Sequence, residues 1–125
     1  MQIILDTHIF LWSISDPDKI DIRKRKKIQS LSNTIYISAI TITELMIKAS
    51  IGKLGIDFNP IEIAEKSGFE MLDYTVDNAV LLKDMPFHHR DPFDRMIIAQ
   101  SISNNFPIIT DDMKFRKYDC KLIGE

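Results

Sequence analysis

The stretch Gln2-Ile3-Ile4-Leu5-Asp6-Thr7-His8-Ile9-Phe10-Leu11-Trp12 carries two periodicities back to back. Ile3, Ile4 and Leu5 form an unbroken aliphatic run, the pattern of a strand buried on both faces, and Asp6 ends it. From Thr7 to Ser15 the apolar residues Ile9, Phe10, Trp12 and Ile14 return at helical spacing, until Asp16-Pro17-Asp18 breaks the helix. The same alternation runs outward along the chain. A basic helix is expected over residues 20–31, with Ile20, Ile28 and Leu31 as its buried positions. Ile35-Tyr36-Ile37 reads as a second strand, and Ser38 caps a helix over residues 40–51 that Gly52 and Gly55 end. Pro60 opens a short helix that stops at Gly68. Residues 69–72 read as a third strand and residues 76–84 as a helix. A loop from Pro86 to Pro92 leads into a long helix over residues 92–104, then a strand at Ile108-Ile109. A turn of helix near Met113 and a last strand over residues 121–123 complete the chain. Short apolar strands alternating with helices imply βαβ units, hence an α/β fold whose sheet is parallel and covered on both faces.

The chain has 125 residues, a length that suits one domain over residues 1–125. Hydrophobic residues make up 45%, enough to offset the entropy of ordering, so a long disordered chain is excluded. No run of about 18 apolar residues occurs, which leaves no membrane span to predict. Cys120 is alone and so forms no internal disulfide and no thiolate metal site. With no basic leader before Ile3, the expectation is a reducing, cytoplasmic setting. Sixteen Lys and Arg against eighteen Asp and Glu leave a formal charge of −2, which argues against a general nucleic-acid coat protein.

The acids converge. In a parallel sheet ligands gather beyond the carboxyl ends of the strands, and Asp6 closes the first strand there. Asp111 and Asp112 follow the strand Ile108-Ile109 to the same edge. Asp91 and Asp94 begin the preceding helix, which runs antiparallel to the strands and so starts at that edge. Glu44 lies one to two turns into the helix that leaves the second strand. Each acid has a plainer reading as well. Asp91-Pro92-Phe93-Asp94 is a good helix start, Glu44 with Lys48 an ion pair at i,i+4, and Asp111-Asp112 a turn. Asp6 resists such a reading, because a carboxylate ending a buried strand is unfavourable without a partner. Carboxylates crowded on one rim repel one another unless a cation neutralises them, and oxygen ligands suit Mg²⁺ or Mn²⁺. Two such ions about 4 Å apart activate water and stabilise the leaving oxygen in phosphodiester hydrolysis, with no side-chain nucleophile required.

In this order the segments resemble a PIN-domain ribonuclease, specifically the toxin of a VapBC-type toxin–antitoxin pair. The matching pieces are Leu5-Asp6-Thr7-His8 with Leu11-Trp12, and residues 40–54 with Glu44, Lys48 and Gly52-Lys53-Leu54. Further on come His88-His89-Arg90-Asp91-Pro92-Phe93-Asp94-Arg95 with Ile98-Ala99-Gln100, then Thr110, Asp112 and Phe115. The resemblance implies a PIN-like three-layer αβα sandwich with a mostly parallel sheet, and an acidic quartet of Asp6, Glu44, Asp94 and Asp112 holding one or two Mg²⁺ or Mn²⁺ ions. It implies support from Thr7 and Thr110, with Asp91 behind the site or capping the helix. Thr43 departs from the pattern, which often has an aromatic residue before the glutamate. Motif spacing selects Asp112 as the fourth acid, with Asp111 as the alternative. RNA cleavage, self-association and inhibition by a small VapB-like antitoxin are implied as well, with Phe10, Trp12 and Met46 as groove candidates that simple core packing would also explain.

Other features compete for a role. Arg23-Lys24-Arg25-Lys26-Lys27 would steer RNA electrostatically, or form a solvated face near Asp16, Asp18 and Asp21. Arg95, Lys48 and Lys114 stand nearer the rim, as phosphate contacts or partners of the acids. His88-His89 invites zinc or acid–base chemistry, yet three scattered His and one Cys make a poor zinc set. An aspartyl phosphatase would want a second Asp where His8 stands. The rival from another class is a catalytically idle α/β module that binds protein or RNA and uses its acids as helix caps.

Overall fold

A computed structural model describes residues 1–124. Four strands, β1 (Gln2–Leu5), β2 (Thr34–Ser38), β3 (Glu70–Leu72) and β4 (Ile108–Ile109), form one sheet in the order β3-β2-β1-β4. Every pairing is parallel, with Ile4 opposite Tyr36 on one side and Ile108 on the other. The helices between them are α1 (Thr7–Ser15), α2 (Ile22–Gln29), α3 (Ala39–Ser50), α4 (Pro60–Lys66), α5 (Val76–Val80) and α6 (Pro92–Asn104), with 3₁₀ turns at Pro17–Lys19, Leu81–Lys83 and Met113–Lys117.

Alternation along β1 builds two cores. Ile3 and Leu5 face one side, where they join Ile9 and Phe10 of α1, Leu45 of α3 and Ala64 of α4. Ile4 faces the other, with Ile97 and Ile98 of α6, Ile108, Phe115 and Tyr118. Helices therefore cover both faces of the sheet, as the run of buried strands requires. Gln100 of α6, fully buried, accepts from the Ser38 hydroxyl at 2.6 Å and donates to the Asp73 carbonyl at 3.2 Å, tying α6 to the end of β2. Asn105, left-handed at φ 56°, ends α6, and the turn delivers the chain to β4.

Three expectations change. The helix expected over residues 20–31 is shorter, running as α2 from Ile22 to Gln29, because Asp21 caps the Arg23 amide and Ile20 is extended after a preceding 3₁₀ turn. Leu31 lies beyond α2 and is fully exposed, not buried. The last strand reduces to one bridge between Ile108 and Leu122, since β4 is itself two residues long and presents a single rung. Among the described residues, no helix is long and apolar enough to cross a membrane.

Candidate active site

Asp6 leaves β1 and caps α1, its Oδ1 accepting the Ile9 amide at 2.8 Å while Oδ2 accepts a short bond from the Thr110 hydroxyl. Only 3% exposed, its carboxyl is pushed up by burial, against the pull of those two bonds. Thr110 in turn accepts the Asp112 amide at 2.9 Å. One hydroxyl thus links the ends of β1 and β4. Glu44 of α3 is 2% exposed. Its Oε1 accepts the Thr7 hydroxyl at 2.9 Å and its Oε2 the Lys48 ammonium at 2.6 Å. Thr7 has only that proton to give, so Thr41, 3.1 Å away, donates to Thr7. The bond to Glu44 raises the Lys48 ammonium above its ordinary range, and the side chain remains 40% exposed at the rim.

Asp91 caps α6 through the amides of Phe93 and Asp94. Asp94, one turn in, has its carboxyl pushed up to about 8, first by burial and then by the charges of Asp91, Asp6, Glu44 and Asp112. Burial also works to raise Asp112, but the Lys114 amide and the His89 ring hold it below the usual carboxylate range. His89 stands closest to the last two acids. Its Nε2 lies 2.7 Å from Asp112 Oδ2 and 3.0 Å from Asp94 Oδ2. His89, Asp94 and Asp112 bring potential ligand atoms within 4.8 Å of one another.

All four segments thus deliver their acids to the carboxyl edge of the sheet, and Asp94 feels each of the other three. Asp111 instead turns to Lys24, whose Nζ also meets the Thr110 carbonyl at 2.9 Å. Lys24 is buried, so the basic block is not wholly a solvated face. The clue lay in the spacing: Lys24 stands four residues before the partly buried Ile28, on the inward face of α2. Arg95 is buried as well. Its guanidinium donates to the carbonyls of Pro86 and Leu82 and to the Tyr118 hydroxyl, and stacks on Phe87. Lys114 is exposed. The histidines diverge, His88 outward against Tyr118 and His89 inward against Phe115, so they form no joint zinc or acid–base pair. No local signal distinguished the two rings.

Residues 3–121 match the PIN domain family. The chain belongs to that family. PIN domains are nucleases. The fold of this chain is similar to that of the VapBC2 complex of Rickettsia felis bound to a DNA fragment from the promoter, with a TM-score of 0.73, 18% identity, and coverage of 98% of this chain and 96% of that one. The DNA-bound VapBC of Salmonella typhimurium aligns at a TM-score of 0.69 and 23% identity over 98% and 96% of the two chains. The PIN domain endonuclease Utp24 aligns at 0.54 and 21% over 93% and 74%. At such identities the likeness is one of fold. No curated protein sequence matches the chain.

The donors fit a hard divalent cation. Burial and four like charges make Asp94 unfavourable as an anion, and a cation among these oxygens would remove that penalty.

Proposed function

We propose that this PIN domain is an endoribonuclease dependent on Mg²⁺ or Mn²⁺ and the toxin of a VapBC-type pair. The observation that carries the reading is the convergence of Asp6, Glu44, Asp94 and Asp112 from four segments on one sheet edge, close enough that the other three all act on the Asp94 carboxyl. Asp6, Glu44, Asp94 and Asp112 would hold one or two ions. When bound, such an ion supplies an activated water and positive charge for the leaving oxygen of a phosphodiester. The protein does the rest. Thr110 and the Ile9 amide fix Asp6, while Thr7 and Lys48 fix Glu44. Asp94, whose carboxyl is raised in the metal-free protein, would have to ionise to serve as an oxygen ligand. Lys48 and Lys114 reach the rim and can meet phosphate; Arg95 is engaged by the loop behind it.

The antitoxin belongs to the same proposal. Between α3 and α4 an open groove is lined by Ile42, Met46, Ile56, Phe58 and Pro60, which gives an apolar peptide a seat. Of the other groove candidates, Phe10 is fully buried in the core, and Trp12 packs against it. Co-purification with a short, adjacently encoded protein is expected; a toxin that no such protein inhibits would refute this part. Self-association and action in the cytoplasm complete the reading, the first open to a sizing column.

The deciding experiment incubates the purified chain with total RNA in Mg²⁺, in Mn²⁺ and in EDTA, and maps the new 5′ ends. Products bearing 5′-phosphate are expected, with cleavage abolished by EDTA and by Asp6→Ala. A cyclic phosphate formed in the presence of chelator would overturn the metal-dependent route. Cleavage that survives Asp6→Ala in a folded protein would overturn the role of the acids, and a wild-type chain that binds RNA or protein without cutting would return the idle binding module.

A further inference from the structure

His89 is the buried polar side chain at the acidic edge that the metal-nuclease reading leaves without a task. Its ring is 6% exposed and stands edge-on to Phe115, with 5.9 Å between centroids. Its backbone amide donates to the Tyr118 hydroxyl at 2.8 Å, so the ring is anchored from the core side. The Asp91 amide donates to Nδ1 at 3.1 Å. A nitrogen that accepts an N–H carries no proton, so the ring hydrogen resides on Nε2. That atom faces Asp112 Oδ2 at 2.7 Å and Asp94 Oδ2 at 3.0 Å. With its hydrogen in place Nε2 has no lone pair to offer a metal, although it lies among metal-ligating oxygens.

We propose that His89 is a positioning residue, holding Asp112 through Nε2–H with Asp94 Oδ2 packed 3.0 Å from the same nitrogen, so that an incoming ion meets a prepared set of oxygens. The Asp91 amide does two things at once: it closes the cap region of α6 and selects the tautomer that makes His89 a donor. The imidazole acts on the acids from behind, as groups that orient metal-binding carboxylates do in general. This inference rests on the metal-nuclease reading.

The test titrates MnCl₂ into the full-length chain and follows binding by calorimetry and electron paramagnetic resonance, with circular dichroism to verify folding. His89→Ala is expected to weaken Mn²⁺ binding by about 10- to 100-fold. His89→Gln, whose amide N–H reaches about as far as Nε2, should recover most of that loss. Electron spin-echo spectra of the bound Mn²⁺ should show no directly bonded nitrogen. An affinity within about twofold of wild type for a folded His89→Ala would overturn the proposal, given the size such contacts ordinarily have. So would a nitrogen coupling lost with His89, which would make it a ligand, or a glutamine no better than alanine, which would leave only packing. Should alanine not fold, His89→Phe keeps the ring against Phe115 without the N–H and faces the same threshold. A wild-type chain that takes up no Mn²⁺ overturns the nuclease reading and this inference with it; normal uptake by both wild type and variant overturns the inference alone.

Discussion

Asp94 couples the metal-free protein to pH. Its carboxyl rises from 3.8 in the open chain to about 8 in the fold, so between those values the folded state holds a proton that the unfolded state has released. Stability contributed this way is complete below the lower value and is lost as pH climbs toward the upper one. Urea denaturation in EDTA should therefore show the protein weakening from about pH 4 to pH 8. Asp94→Asn cannot ionise and should reduce the fall by about 1–3 kcal/mol, a fraction of what the full shift would imply, because neighbouring acids relax. Saturating Mg²⁺ should flatten the wild-type curve. Parallel curves for wild type and Asp94→Asn would show that another group titrates. That Asp94 belongs with the other acids could be read from topology alone. Its raised carboxyl could not, because the shift depends on burial and on charges brought from distant segments.

At the scale of elements, local chemistry and long-range packing divide the work. Caps were readable: Asp91-Pro92 starts α6 and Ser38 starts α3 because each side chain bonds an amide two residues on. What anchors the elements was less readable. Arg95 ties α6 to the segment around Leu82 and Pro86, and Lys24 ties α2 to the loop after β4. Arg95→Gln should lower unfolding stability by about 1–3 kcal/mol, since it strips a charged donor from buried acceptors. It should leave the salt dependence of RNA binding unchanged; a slope lower by about one unit would restore Arg95 as a phosphate contact. Lys24→Met should cost about 1–3 kcal/mol, whereas Lys26→Met on the exposed face should stay within about 0.5 kcal/mol. Equal effects would mean that the Lys24 bonds to Thr110 and Asp111 contribute nothing. Both residues sit in sequence stretches that look solvated; the partners that engage them, a nearby loop for Arg95 and a distant one for Lys24, are met only in the fold.

For the whole molecule, charge is a matter of distribution. The formal −2 includes four acids gathered at one edge, and two divalent ions there would reverse its sign. Arg23, Lys26 and Lys27 remain exposed on α2, where they would attract the proposed RNA substrate at long range. Replacing these three with Gln should flatten the salt dependence of RNA binding; an unchanged slope would leave them a solvated face. By itself the sequence determined the alternation of strands and helices, the parallel sheet and the edge to which Asp6, Glu44, Asp94 and Asp112 go. Those follow from periodicity, capping and the antiparallel return of each helix, which are local rules joined by one topological constraint. Only the tertiary structure decided that Asp112 faces Asp94 while Asp111 turns to Lys24, that His89 and not His88 points inward, and that β4 has two residues. The Asp and His choices turn on which of two adjacent, chemically similar side chains meets a partner folded in from elsewhere in the chain, and the length of β4 on how many backbone groups its neighbours present. All are set by contacts between distant segments, which hydrophobic periodicity and capping do not encode.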